Sequence, residues 1–194
     1  MSKKSIAKKR PLTIVDNGFL ITETDESPKH IAGLQMYQKP KRAAKSFVKK
    51  LFDNWLKVET ACAPYNLILN AKNPLAPFWE ESPEFKAQEH LFYLSLNDGT
   101  VDEVNALVSE LHEPRLDMSK PLWRCFFIDG IEGNRFAIYF SFHHSVLDGI
   151  SAGKIMEKTL SDSASEKGLP PFFAMKDNPY NKKSGRAKPT LLDK

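Results

Sequence analysis

At 194 residues, with 41% apolar residues and 13 phenylalanines, the chain is long enough for one domain with a core of its own. The net charge of +4 lies largely at the two ends, which argues against a nucleic-acid-binding protein and leaves the basic ends able to touch anionic lipid. No apolar run approaches the roughly 20 residues of a membrane span, the basic start lacks the apolar core of a signal peptide, and two distant cysteines fit reduced thiols; the expectation is a cytoplasmic protein, soluble or peripheral rather than secreted.

Residues 1–10 read as a solvated, disordered basic tail. Ile14, Val15, Phe19 and Leu20 suggest a short helix within Pro11–Thr24, and the alternation from His30 to Tyr37 reads as an early strand. Arg42–Val58 is the clearest helix, because Ala44, Phe47, Val48, Leu51, Phe52 and Trp55 recur at three- and four-residue steps. Its lysines (Lys41, Lys45, Lys49, Lys50) occupy other positions, so the apolar stripe either packs into a core or lies on a membrane surface. Residues 59–83 are broken up by Pro64, Pro74, Pro77 and Pro83, with one strand candidate at Leu67–Leu69.

A strand at Leu91–Leu96 ends at Asn97-Asp98-Gly99. A helix follows from Thr100, with Glu103 placed for a capping box and an apolar face of Val101, Val104, Leu107, Val108 and Leu111. Two strands, about 122–129 and 135–142, are joined by Gly130–Asn134 as a hairpin. Both are apolar on both faces, which places them centrally in a sheet. Arg124 is the charge that stands out in the first; it either pairs with Asp148 or another carboxylate, or snorkels to solvent. A helix then runs from about Ser151 to Leu160, and the polar, Pro- and Lys-rich remainder, 161–194, reads as an exposed linker.

Between the second strand and that last helix lies His143-His144-Ser145-Val146-Leu147-Asp148-Gly149. A histidine moves protons near neutral pH, and a hydroxyl attacking an ester or thioester must lose its proton as the new bond forms. His144 is the candidate base and His143 a packing or supporting residue. Asp148 reads first as a structural carboxylate that holds the loop and second as a partner orienting imidazole. Gly149 would let the backbone turn sharply and leave room for ligand. A metal pair is the weaker reading, because His30, His90, His112, Cys62 and Cys125 do not complete a ligand set at readable spacing.

His143-His144-x-x-x-Asp148-Gly149 matches the HHxxxDG signature of acyl-CoA-dependent acyltransferases. Pro121-Leu122-Trp123, Ile128–Gly133 and Arg135-Phe136-Ala137 resemble the corresponding run of the bacterial wax ester synthase/diacylglycerol acyltransferase family. So do Leu107–His112 with Leu116-Asp117-x-Ser119-x-Pro121, and, near the start, Asp16-x-x-Phe19-Leu20 and Pro28-x-His30-x-x-Gly33-Leu34-Gln35. The resemblance covers about Pro11 to Pro171; Arg124 departs from it, since the family often has an acidic residue there.

The resemblance implies an α/β fold, a chloramphenicol acetyltransferase-like open sandwich forming the N-terminal half, 11–160, of a two-halved enzyme. It implies transfer of a fatty acyl group from acyl-CoA, a co-substrate, to a long-chain alcohol or diacylglycerol, with no further cofactor and no metal. By the same resemblance His144 is the general base, His143 and Asp148 support it, and Gly149, Ser145 and Trp123 contact substrate. The C-terminal half of the family is not matched, so the chain is expected to be a fragment or split product, to assemble with a second chain or with itself, or to be a truncated homologue without activity; the family reading also implies peripheral contact with the inner membrane or lipid inclusions. The alternatives are a non-catalytic truncated homologue that binds lipid or a partner, and an acyltransferase for an amine, a polyketide alcohol or another small molecule.

Overall fold

The computed structural model describes residues 9–163, 166 and 168–176. Two sheets form. The larger has the order β2 (His30–Gln38), β7 (Arg135–His143), β6 (Trp123–Ile131), β5 (Leu91–Ser95). Its strands pair antiparallel except β5 with β6, which run parallel. The smaller has the order β1 (Arg10–Pro11), β4 (Phe78–Glu81), β3 (Leu67–Asn70) and is antiparallel. Four helices complete the fold: α1 (Ile14–Thr22), α2 (Phe47–Leu56), α3 (Val101–His112) and α4 (Gly149–Lys158).

β6 and β7 are apolar on both faces because both faces are covered. Strand alternation sends Cys125, Phe127, Phe136, Ile138, Phe140 and Phe142 into one cluster with residues of α2 and α4. It sends Phe126, Ile128, Ala137 and Tyr139 to the other side, against Val104, Leu107, Val108 and Leu111 of α3. The apolar stripe of α2 is therefore core: Phe52 packs against Tyr93 and Phe127, and Trp55 meets Phe127 edge-on at 5.0 Å. The membrane reading of that stripe is not needed. The helix is shorter than its pattern, because turns closed by Ala43 N–H to Pro40 O and Phe47 N–H to Ala44 O precede it.

Three expectations need correction. β4 lies in the stretch read as irregular; its pairing with β3, not its own short sequence, makes it a strand. Thr100 does cap α3, accepting from Glu103 N–H at 3.2 Å, but the Glu103 carboxylate accepts instead from the N–H groups of Asn97, Asp98 and Gly99. The reciprocal capping box is at α1, between Thr13 and Asp16. Finally, the segment expected to be exposed beyond Leu160 returns to the core at Phe172 and Phe173, which pack on Trp123, and Phe173 O accepts from Cys62 N–H at 2.7 Å. The predicted tail lies outside the described residues over 1–8, while Arg10 and Pro11 are in β1.

The turn before α3 and the β6–β7 hairpin touch through backbone. Glu132 N–H donates to Gly99 O at 3.0 Å, and a Cβ on Gly99 would lie 2.1 Å from Gly130 O at a φ of +71°. Gly99→Ala is expected to lower unfolding stability by about 2–4 kcal/mol, from left-handed backbone strain plus a clash with backbone that has little room to yield. Gly153, inside α4, faces open space. Gly153→Ala is expected to raise stability by about 0.8–1 kcal/mol through helix propensity. Urea unfolding of both variants checks the opposite signs.

Candidate active site

β7, an inner strand, carries the histidine motif at its C-terminal end, and the start of β2 fixes its register. His143 faces His30 across the ladder, and the next rung, His144 N–H to Lys29 O, is 2.8 Å. His143 turns to the α3 side and is fully buried. Its Nδ1 lies 2.6 Å from the Ser145 hydroxyl oxygen and accepts from Ser145 N–H at 3.2 Å. Because that amide can only donate, the neutral ring carries its proton on Nε2, which faces Glu23 Oε1 at 3.5 Å. Burial pushes the His143 pKa below the ordinary histidine value, with Glu23 pulling the other way.

Glu23 closes α1 and its carboxylate is fully buried. Oε1 also accepts from Lys29 N–H at 3.2 Å, and Oε2 accepts from Arg115 at 3.1 Å. Arg115 reaches on to Asp25 at 3.1 Å. This network fixes the end of α1, which sets Phe19 against His144: the two rings stack at 4.1 Å and 17°. The His144 imidazole is half-buried and hydrogen-bonds to none of the described residues. Stacking holds its plane while both nitrogens stay available to a ligand. Proton transfer needs such an available nitrogen; the second hydrogen bond that would fix its tautomer is absent among the described residues.

Asp148 caps α4. Oδ1 accepts from Ser151 N–H at 2.7 Å and Oδ2 from the Ser151 hydroxyl at 3.0 Å. Neither imidazole of the motif bonds to it. Gly149 is the first residue of α4; its φ is not in the left-handed region, and a Cβ would only touch Ile31 at 3.9 Å, so the sharp turn expected there is not made by this glycine. Ser145 is buried and committed to His143. Trp123 is a core residue, donating to Tyr65 O at 2.8 Å and stacked on His90 at 4.5 Å. The expected substrate contacts of Ser145 and Trp123 are thus replaced by internal ones. Arg124 bonds to carbonyls, Leu111 O at 3.4 Å and Pro114 O at 2.7 Å, instead of pairing with Asp148. It closes the C-terminal end of α3, where unpaired carbonyls attract cations.

The sequence reading missed Glu23, Arg115 and the role of Phe19. Phe19 stood in the Asp16-x-x-Phe19-Leu20 pattern, a signal that marked the residue but not its contact. Among the described residues no three His, Cys, Asp or Glu side chains are grouped to hold a metal.

Glu23→Ala is expected to cost about 3 kcal/mol, since it removes the acceptor of the buried Lys29 N–H and the anion that pairs with Arg115 and faces His143. Near-ultraviolet circular dichroism and urea unfolding measure it. Burial also lowers the pKa of His30, His90 and His143, each with an ordinary value of 6.5. The unfolded chain therefore binds more protons below that value. The stability these groups leave intact above about pH 6.5 should fall as the pH drops through it toward their folded values, read as a falling urea midpoint.

The family described as the wax ester synthase/diacylglycerol acyltransferase catalytic domain matches residues 12–192. The O-acyltransferase WSD of Acinetobacter baylyi is 37% identical over 164 residues, 84% of this chain and 35% of that protein. The probable diacylglycerol O-acyltransferase Tgs4 of Mycobacterium tuberculosis is 33% identical over 156 residues, 80% of this chain and 32% of that protein. The solved wax ester synthase/diacylglycerol acyltransferase from Marinobacter aquaeolei VT8 superposes with a TM-score of 0.82 at 30% identity, over 86% of this chain and 40% of that one. The chain spans about a third of the length of these curated relatives.

Proposed function

The chain belongs to the wax ester synthase/diacylglycerol acyltransferase family, and on that premise we propose that it forms the histidine-bearing part of an acyl-CoA-dependent O-acyltransferase. The acceptor is a long-chain alcohol or diacylglycerol, and acyl-CoA is the co-substrate. The observation that carries this reading is the His144 ring, laid on Phe19 at the exit of β7 with its nitrogens uncommitted.

In the proposed reaction His144 accepts the proton of the acceptor hydroxyl. The oxygen attacks the thioester carbonyl, the carbon–sulfur bond breaks, and the proton returns to the departing CoA thiolate. His143 and Glu23 hold the strand end, and Asp148 holds the start of α4, so that the base is fixed while the acceptor moves in. Direct transfer also suits the candidate nucleophiles. Ser145 is buried on His143, and burial raises the thiol pKa of both Cys62 and Cys125, which keeps them as poorly nucleophilic thiols.

A second reading has its own support. Ile14, Val15 and Ile21 on α1 are largely exposed, and Leu34 and Met36 are partly so on β2, whose outer edge pairs with no described strand. Such a surface suits a non-catalytic half-domain that binds lipid or another polypeptide. No described helix is long and apolar enough to cross a membrane.

The test is release of CoA thiol by the purified chain with palmitoyl-CoA and either hexadecanol or diacylglycerol. His144→Ala is expected to lower the rate by about 10²- to 10⁴-fold with an unchanged unfolding midpoint. Equal rates in the two proteins would remove His144 as the base. A folded chain that binds lipid or a partner without turnover would favour the second reading.

A further inference from the structure

The C-terminal end of α3 is held by one side chain from each of three strands. His30 of β2 donates from Nε2 to His112 O at 2.8 Å. Arg124 of β6 donates to Leu111 O and Pro114 O at 3.4 and 2.7 Å. The hydroxyl of Tyr139, on β7, lies 2.8 Å from His112 Nδ1. His30 and Arg124 therefore converge on neighbouring carbonyls of one turn. Ser141 shares their face of the sheet: it stands opposite Arg124 in the β6–β7 ladder, and opposite Ala32, two residues beyond His30, in the β2–β7 ladder. His30 Nδ1, Ser141 Oγ and Arg124 Nε are all buried, and none has a hydrogen-bond partner among the described residues. We propose that these three atoms hold one internal water, which joins the start of β2 to the end of α3 and so supports the histidine motif.

The donors and acceptors are complementary. A carbonyl only accepts, so the bond to His112 O puts the His30 proton on Nε2 and leaves Nδ1 of the neutral ring as an acceptor. Arg124 Nε carries a proton and only donates, while Ser141 does either. A water that accepts from Arg124 and donates to His30 and Ser141 makes about three hydrogen bonds, the usual number for a buried water. Burial, then His112 and Arg124, lower the His30 pKa, against the bond to His112 O and the charge of Glu23. The ring is thus held neutral and Nδ1 keeps its lone pair, which repels an anion and disfavours one beside Arg124. The spacing also suits water. Diagonal neighbours on one sheet face, such as His30 and Ser141, lie about 7–8 Å apart, too far for short side chains to meet but within the span of two bonds of about 2.9 Å through one water.

The link to the motif runs through backbone. His30 faces His143 in the ladder, and Lys29, the residue before it, accepts from His144 N–H at 2.8 Å and donates to Glu23. A side chain at the start of β2 that is tied to α3 through His112 O on one nitrogen, and through water on the other, fixes that rung. His30, Ser141 and Arg124 are on this account positioning residues, acting on His144 through the backbone of Lys29. The water site does not depend on the acyl-transfer reading; only its bearing on His144 as a base does.

Ser141→Val tests this, because it removes the hydroxyl and fills the space with methyl groups; its urea midpoint reports that it has folded. Water-oxygen magnetic relaxation dispersion of the purified chain counts the waters held for longer than the protein tumbles. The variant should hold one fewer than the unaltered chain. In proton–nitrogen correlation spectra His30 should show the Nε2–H tautomer, and its Nδ1 signal should move to that of an unbonded lone pair in Ser141→Val. Exchange of His144 N–H with solvent should speed up about tenfold, while Cys62 N–H, bonded to Phe173 O in the opposite layer, keeps its rate. Should Ser141→Val fail to fold, the same readouts on Ser141→Ala decide, with the water exchanging faster instead of leaving. An unchanged water count, a His30 proton on Nδ1, or an unfolding midpoint that rises with chloride at constant ionic strength overturns the water site. Loss of the water with His144 exchange unchanged overturns its support of the motif. Neither result touches the acyl-transfer reading, which fails separately when the folded, unaltered chain releases no CoA thiol.

Discussion

The contact between Glu23 and the buried start of the histidine motif constrains the rest of the site. A carboxylate with no exposed surface needs donors, and here they come from Arg115 beyond α3 and the Lys29 amide before β2, while His143 Nε2 at the end of β7 faces it at 3.5 Å. Satisfying one buried charge therefore joins α1, the α3–β6 connection and two strands of the central sheet. Phe19, a turn before Glu23 on α1, is carried onto His144 by the same constraint. The position of the candidate base is thus decided by a group that never approaches the reacting atoms.

Strand alternation does the second part of the work. Adjacent residues of a strand point to opposite faces, so two consecutive histidines are given different surroundings by one backbone. His143 goes under α3, into a layer that also holds His30, His112, Tyr139 and Arg124. That layer keeps several buried polar atoms without protein partners, among them His30 Nδ1, Ser141 Oγ and Arg124 Nε. His144 follows the strand in a turn, where its ring stacks on Phe19 of α1. A layer with buried polar groups and an apolar layer are separated by the thickness of a single sheet.

Much of this fold was legible because its central elements obey simple periods. The two-faced apolar strands, the stripe of α2 and the face of α3 each signal their own burial. What was illegible depended on partners. β4 became a strand because β3 lies beside it, and β1 is only two residues long. Phe172 and Phe173 looked like linker because two prolines precede them and the stretches beyond are polar, yet they fill space against Trp55 and Trp123. Glu103 sat at capping-box spacing, but its carboxylate accepts from three amides of the preceding turn instead of from the one amide of Thr100.

By itself the sequence determined the chemistry on offer: two histidines at a strand end, a helix-capping aspartate after them, and apolar strands to carry both. These are local properties, written in spacing and residue type. Only the tertiary structure decided which side chains serve that chemistry. It withdrew Ser145 and Trp123 into internal hydrogen bonds, turned Arg124 to the carbonyls of α3, and brought Glu23 and Phe19 to the histidines from more than a hundred residues away along the chain. The physical reason is that a buried polar atom takes whichever partner the packing brings within reach, and sequence distance does not fix that reach.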